Sequence, residues 1–408
     1  MRFACICAMP VVQLPPEVLR IGHPAPVSVR DATGHLLLAK GVMVTSETQR
    51  QRLVSHTLYM DEIDSELLKR AIAGKLDSML RQNTPLGKIA SAQHDGVLTV
   101  PSAAKQSIDP AMAWGNLQMH GRVLLQDPAP ADFFARLHKL QGEVIELVDA
   151  DADLSLLILV QAATNDAHHY SVTHGLLAAV LCELAARQLP AFSEAWRTSL
   201  RHAALTMNIS MTSLQDQLAL QEESPSPQQR ALIDSHGQRA VTCLRAAGVA
   251  DEAWLHAVEH HHATASGPLS AQTPAMQMAR LLQRADIFSA RLSMRRARPA
   301  LAASEAVKAA YLDEQGQADE AGKALIQATG IYPPGSYVRL ASGELAVVLR
   351  HGPHAKAPKV ASIVSKSGTP LGEPVLRDTR LRPHDVISGV APHDVKVRLN
   401  MEKLLRLA

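Results

Sequence analysis

The chain has 408 residues, 47% of them apolar and 20% charged, which is typical of a globular protein with two or three domains. Its 41 basic and 39 acidic side chains give a formal charge of +2 at pH 7, too small to hold a phosphate backbone by counterion release, so nucleic acid is not an expected partner. No stretch approaches the ~20 continuous apolar residues of a membrane-spanning helix, and the apolar start before Pro10 lacks a clear cleavage site. The four cysteines show no metal-ligand spacing beyond C-x-C. We therefore expect a cytoplasmic protein without a membrane span.

The pattern of strand and helix signals over residues 13–75 predicts a small α+β module, which is too small for an enzyme core and suited to docking or sensing. A Gly-containing turn at 33–34 separates two of its strands. Ser46 and Gln49 supply a capping box for a short helix that ends near Ser55. The strands are expected at residues 27–31, 36–38 and 58–60.

Residues 76–107 predict a linker, because Gly, Pro, Ser, Gln and Asn are frequent there and only one brief apolar run, 97–100, interrupts them. From 108 to 330 the apolar residues recur at spacings of three and four, which predicts a bundle of helices. The pattern changes again in 331–408, where apolar runs between Gly- and Pro-containing turns predict a small β unit. The fold class is therefore expected to be mainly α. The strands of the last unit are expected at residues 337–340, 345–349 and 360–364.

One helix, predicted over residues 227–247, has an unusually clear start and end. Ser226 and Gln229 supply a capping box before it, and Gly248 marks its far end. By the three-and-four rule, His236 shares a stripe with apolar residues of this helix. We therefore expect the imidazole of His236 to face the core.

Paired histidines close a later helix that is predicted to be buried, and such a pair invites a metal. The pair is His261 and His262, which stand immediately before Ala263. Three histidines are consecutive here, so the register of the pair is open by one residue. His256 lies one turn before His260, and these two residues are an alternative pair.

Two further polar residues, His174 and Asp286, lie on predicted helices whose inward positions are otherwise apolar. An imidazole or a carboxylate on such a face costs several kcal/mol unless it is paired, hydrogen bonded or bound to a metal. Each of them taken singly is also typical of a hydrogen-bonded core residue. Together with His236 and the histidine pair, they predict a shared site.

Over roughly residues 165–345 the chain resembles the HD-GYP family, helical metal-dependent phosphohydrolases that cleave cyclic di-GMP. Residues 13–75 bear a looser likeness to the small module that often precedes such domains. The resemblance implies an HD-type helical bundle in which the shared histidines and aspartate bind metal. The residues and the segment that carry it are His174, His236, His261, His262, Asp286 and 331–344.

The chain departs from this family at both motifs of the family's name. Met207 and Asn208 stand where the family has its His-Asp pair, and the Gly-Tyr-Pro loop is absent from 268–271. A neutral amide cannot bridge two cations, and a thioether suits neither iron nor manganese. The resemblance therefore implies a degenerate member, in which the two-metal centre does not assemble and catalysis is impaired.

Half of the metal centre is expected to remain, as a site for one divalent ion of iron, manganese or zinc. The amide of Asn208 or a water molecule would complete the coordination. The expected ligands are His236, His261 and His262, with His174 and Asp286 as a hydrogen-bonded pair or as further ligands.

Arg291, Arg295 and Arg296 follow Asp286 and are the candidate nucleotide-binding residues, because guanidinium groups form paired hydrogen bonds with phosphate oxygens. A solvated helix end is the alternative for this run. The expected ligand is cyclic di-GMP or a related nucleotide, and the expected protein partner is a GGDEF-type cyclase or another signalling protein. Two other functions stay open: an active metal-dependent phosphodiesterase with a reduced metal site, and a metal-free regulatory module of the HDOD type.

Overall fold

The computed structural model divides the chain into two compact units, residues 1–107 and 108–408. The predicted linker at 76–107, with its apolar run at 97–100, lies outside the described residues, and so does the turn expected at 33–34. The structure describes residues 11–31, 36–39, 41–55, 57–61, 64–65, 68, 109–126, 128, 132–264, 267–313 and 315–408.

The described part of the first unit contains an antiparallel sheet and a short helix. The elements are β1 (Val11–Gln13), β2 (Val29–Arg30), β3 (Leu36–Leu38), α1 (Glu47–Val54) and β4 (Tyr59–Asp61). The strand order is β1-β4-β2-β3. Ser46 caps α1, because its hydroxyl accepts a hydrogen bond from the backbone N–H of Gln49. The reciprocal bond to the Gln49 side chain comes from the N–H of Thr45, so the predicted capping box is displaced by one residue.

The second unit is mostly helical. Its helices before the final sheet are α2 (Pro110–Gln126), α3 (Phe133–Ala150), α4 (Ala152–Asn165), α5 (Tyr170–Ala186), α6 (Glu194–Thr206), α7 (Thr212–Leu220), α8 (Pro227–Asp234), α9 (His236–Ala246), α10 (Glu252–His260), α11 (Pro274–Leu292), α12 (Ala303–Tyr311) and α13 (Glu320–Thr329). Every residue of α5 is buried. It packs against α6, α11 and α13, as expected of a helix that is apolar on all sides.

The helix predicted over 227–247 is in fact two helices, and the prediction of one continuous helix was wrong. The capping box of Ser226 and Gln229 is confirmed, but α8 ends at Asp234 and α9 begins at His236. Between them, the Ser235 hydroxyl donates to a carbonyl of the preceding turn at 2.7 Å, a local bond that competes with continued helix. His236 therefore stands at the first residue of a new helix.

A five-stranded antiparallel sheet follows the helices. Its elements are β5 (Tyr337–Leu340), β6 (Leu345–Arg350), β7 (Lys359–Val364), β8 (Pro370–Asp378) and β9 (Val386–Val390), with α14 (Met401–Leu405) after them. The strand order is β8-β7-β6-β5-β9. The sequence predicted β5, β6 and β7, whereas the two edge strands were missed.

This sheet is attached to α4 by close packing and by ion pairs. Gly335, with φ of +88°, lies so near α4 that a Cβ atom there would stand 2.8 Å from the Leu157 carbonyl oxygen. The Gln161 amide donates to the carbonyl of Gly335 at 2.5 Å. Arg350 donates to both carboxylate oxygens of Asp151, at 3.1 and 2.6 Å.

The predicted fold class is confirmed: mainly α, with a small α+β module before the helices and a small β unit after them. Among the described helices, none combines the length and apolar character needed to cross a membrane.

Candidate metal centre

Three imidazoles meet where α9 begins and α10 ends. His236 is the first residue of α9, and His261 and His262 directly follow the last residue of α10. One ring nitrogen from each lies within 4.8 Å of the others. The Nε2 atoms of His236 and His261 are 3.1 Å apart. Among the described residues, these three histidines form the one group of three or more histidine, cysteine or carboxylate side chains whose ligand atoms lie close enough together to hold a metal ion.

Backbone carbonyls determine which nitrogen carries the proton in two of these rings. Nδ1 of His236 is 2.6 Å from the Ile233 carbonyl oxygen, and Nδ1 of His261 is 2.7 Å from that of Val258. A carbonyl only accepts, so each Nδ1 donates, and in a neutral ring the Nε2 then carries a lone pair. The two lone pairs face each other without a proton between them, and a cation between them would relieve their repulsion.

The spacing of the nitrogens fits such an ion. Two imidazole nitrogens at about 2.0–2.1 Å from a tetrahedral zinc ion would be roughly 3.3 Å from each other. The 3.1 Å separation of the Nε2 atoms is close to that value. His261 is buried, whereas His262 is exposed, so the group opens to solvent on the side of His262.

Burial keeps the inner rings neutral, which is the form that binds metals. Burial, and to a smaller extent the neighbouring His262, lower the pKa of His261 to about 3. Burial also lowers the pKa of His236, although its hydrogen bond to the Ile233 carbonyl opposes this shift.

A glycine allows the two helices to approach at this point. A Cβ atom at Gly237 would stand 3.1 Å from the Glu259 carbonyl oxygen and 3.2 Å from that of Val258. The turn between α6 and α7 also contacts this region, since the hydroxyl of Ser210 donates to the carbonyl of His236 at 2.9 Å. Sequence reasoning did not identify Gly237, although a glycine next to a buried histidine signals close approach of another backbone.

His174 and Asp286 form a hydrogen-bonded pair outside the imidazole group. Nε2 of His174 is 2.9 Å from a carboxylate oxygen of Asp286, and the hydroxyl of Ser289 is 2.9 Å from Nδ1 of His174. The carboxylate requires a donor, so Nε2 donates to Asp286 and, in a neutral ring, Nδ1 accepts from Ser289. Burial would raise the pKa of Asp286, but the hydrogen bond from His174 and the other histidines nearby hold it well below its usual range.

The other predicted site residues are spread around this region. Met207 is buried, and half-buried Asn208 precedes the short turn at Ile209–Met211. Arg295 lies 4.5 Å over the ring of Tyr170 and donates to its hydroxyl. Tyr170 in turn stacks on His174, with 5.5 Å between ring centroids. Arg291 and Arg296 are exposed.

These observations define a mainly helical protein with an imidazole-lined candidate metal centre. No protein-family model matches the chain. It is 28% identical over 261 residues to the cyclic di-GMP phosphodiesterase PA4108 of Pseudomonas aeruginosa, and the match covers 61% of this chain and 61% of that protein. The chain thus matches less than two thirds of that relative's length. Among solved structures it is similar to Bd1817, an HDG"Y"P protein from Bdellovibrio bacteriovorus, with 13% identity and a TM-score of 0.44 over 78% of this chain and 99% of that one.

Proposed function

We propose that this chain is a cyclic di-GMP signalling protein of the HD-GYP phosphodiesterase family that holds one divalent ion and has lost most or all of its hydrolytic activity. It would act by binding the nucleotide or a partner such as a GGDEF-type cyclase. The observation that carries the proposal is the approach of the Nε2 atoms of His236 and His261 to 3.1 Å, while the Nδ1 atom of each ring faces a backbone carbonyl. The 28% identity to a cyclic di-GMP phosphodiesterase supports the assignment to this family.

The donor set suits one metal ion. Neutral imidazoles bind zinc and iron well, and His262 would add a third ligand on the open side. The carbonyls of Ile233 and Val258 would orient the rings, as backbone acceptors do for metal-binding histidines. When bound, the ion would supply positive charge to a phosphate oxygen of the nucleotide.

The same residues argue against efficient hydrolysis. Two-metal phosphodiester hydrolysis needs a carboxylate that bridges both ions. Among the described residues, no carboxylate joins the three imidazoles in this group. Asn208 stands at the position that the family resemblance gives to the bridging aspartate. Asp286 is already engaged by His174.

Exposed arginines would contact the phosphates of the nucleotide. Arg291 and Arg296 are exposed at the end of α11 and just beyond it, where guanidinium groups can reach an anionic ligand. Arg295 is held against Tyr170, so its part would be to position that ring over His174.

The test combines metal analysis, calorimetry and turnover on one set of purified proteins. We expect the His262→Ala protein to contain one equivalent of metal less than the parent, and we expect His261→Ala to behave alike. His393→Ala is the control, because its exposed imidazole, 54% accessible, lies in the final β unit. The parent should bind cyclic di-GMP and release little or no product with added manganese or iron. Equal metal content in parent and His262→Ala, or no heat with cyclic di-GMP and no capture of a cyclase, would refute the proposal.

An active phosphodiesterase with a reduced metal site is the second candidate. It is favoured by the identity to an enzyme with that activity. Turnover of cyclic di-GMP by the parent that disappears in His261→Ala would establish it. A protein without metal in any preparation would instead point to a regulatory module of the HDOD type, in which the histidines are core residues.

A further inference from the structure

A second pair of imidazoles lies on α10. His256 and His260 are four residues apart, and their ring centroids are 4.3 Å apart with the planes tilted by 50°. Residues at this spacing lie on one face of a helix. The pair is separate from the group formed by His236, His261 and His262.

The protein leaves the nitrogens of this second pair largely unused. Nε2 of His256 is buried and has no hydrogen-bond partner among the described residues. A buried polar atom without a partner is unfavourable, so a ligand that engages it is favoured. The side chain of His260 is 40% exposed, and its Nε2 lies 3.9 Å from a carboxylate oxygen of Glu259, too far for a hydrogen bond.

The surroundings favour a cation over an anion. His256 lines a cavity of about 400 Å³ between α10 and the start of α11, and Glu259 lines the same cavity. The arginine of this cavity, Arg245, is bound through two nitrogens to Glu252, at 2.9 and 2.8 Å. The carboxylate of Glu259 therefore remains as negative charge beside the two imidazoles.

We propose that His256 and His260 form a second site, which binds a divalent transition-metal ion by two imidazole nitrogens, independently of the first group. Two ligands fixed on one helix chelate an ion, because binding to the second imidazole becomes intramolecular once the first is attached. Imidazole donors select Cu²⁺ most strongly and then Zn²⁺ or Ni²⁺. Water molecules would fill the remaining positions. Metal binding at this second site would not require cyclic di-GMP.

The test counts Cu²⁺ ions bound by the metal-free full-length protein. Calorimetry should find one equivalent fewer in the double variant His256→Ala/His260→Ala than in the parent, and His260→Ala alone should weaken that equivalent roughly 100-fold. His393→Ala should leave the count unchanged. An unchanged count in the double variant, with unchanged circular dichroism, would overturn the proposal.

Electron paramagnetic resonance separates this site from the first one. The parent loaded with Cu²⁺ should show two nitrogen-ligated copper signals, and the double variant should keep only the one that disappears in His262→Ala. If the same copper signal is lost in both variants, the His256 and His260 pair and the first group form a single site, and the proposal fails. If only the His256 and His260 signal is present in the parent, the second site stands and the metal site of the proposed function does not.

Discussion

Gly237 lies directly against the backbone of Glu259, so close that a Cβ atom at Gly237 would stand 3.1 Å from the Glu259 carbonyl oxygen. This contact joins the first turn of α9 to the last turn of α10. The imidazoles of His236 and His261 are attached immediately beside it, one at each helix end. The helix spacing at Gly237 therefore sets the distance between the two Nε2 atoms.

Gly237→Ala should weaken metal binding, because the added methyl group must push α9 away from α10 by a few tenths of an ångström. Losses at the supporting shell of a metal site are typically 10–100-fold in affinity, and we expect roughly 10-fold here. The control is Gly142→Ala in α3, where a Cβ atom meets nothing within 4 Å. That substitution should raise stability by about 0.5–1 kcal/mol and leave affinity unchanged. Equal zinc affinity in Gly237→Ala and the parent, measured by competition with a chelator, would contradict this account.

Asp286→Ala should lower stability without removing the metal. The substitution leaves the Nε2–H of His174 without its acceptor in a buried position, which costs about 1–3 kcal/mol. Asp286→Asn keeps an acceptor oxygen and should lose less. Metal content by mass spectrometry and urea unfolding are the measurements. One equivalent of metal lost in Asp286→Ala would mean that the carboxylate is a ligand.

Met207→His/Asn208→Asp should add a second metal ion and with it turnover of cyclic di-GMP. The double substitution restores an imidazole and a carboxylate at the positions where the family resemblance gives metal ligands. Met207→Leu/Asn208→Asp is the matched control, since it supplies the bridging acid without the imidazole. We expect the metal content to rise by one equivalent only in the first variant. Unchanged metal content there would show that further ligands are missing.

The fold class and the candidate histidines of the metal centre could be predicted from the sequence, because both depend on local patterns. Apolar residues at spacings of three and four predicted the bundle, and the consecutive histidines after α10 were visible as a run. The inward position of His236 was predicted correctly for a partly wrong reason. Its ring faces the core at the start of a new helix, since the Ser235 hydroxyl ends the previous one.

Other features depend on residues far apart in the chain or lack a local pattern. The hydrogen bond between His174 and Asp286 joins residues 112 positions apart, so the family resemblance implied it where no local pattern could, and the packing of α5 against α11 forms it. β8 and β9 are edge strands with many exposed residues, and their sequences lack the alternation of buried and exposed side chains that identifies a strand. The role of Gly237 depends on which backbone lies opposite it.

The contact between Asp153 and His351 should make the stability of the protein depend on pH. Nδ1 of His351 contacts one carboxylate oxygen of Asp153, and the backbone N–H of His351 donates to the other at 2.9 Å. Burial by itself would lower the pKa of His351, but Asp153 raises it above its usual value. Burial would raise the pKa of Asp153, but His351 lowers it. The pair thus ties the end of β6 to the first turn of α4.

A raised histidine pKa stabilises the folded state fully below the unfolded value of about 6.5, and this contribution is lost as the pH rises through the folded value. A lowered aspartate pKa stabilises above about 4, and its contribution is lost as the pH falls through the folded value. Asp153→Asn should therefore reduce the urea midpoint most between about pH 4 and 6.5, and less at pH 9. Asp151→Asn is the matched control: its partner Arg350 stays charged, so its effect should be the same at pH 6 and pH 9. If Asp153→Asn lowered the urea midpoint equally at pH 6 and at pH 9, a charged His351 in the folded protein would be excluded.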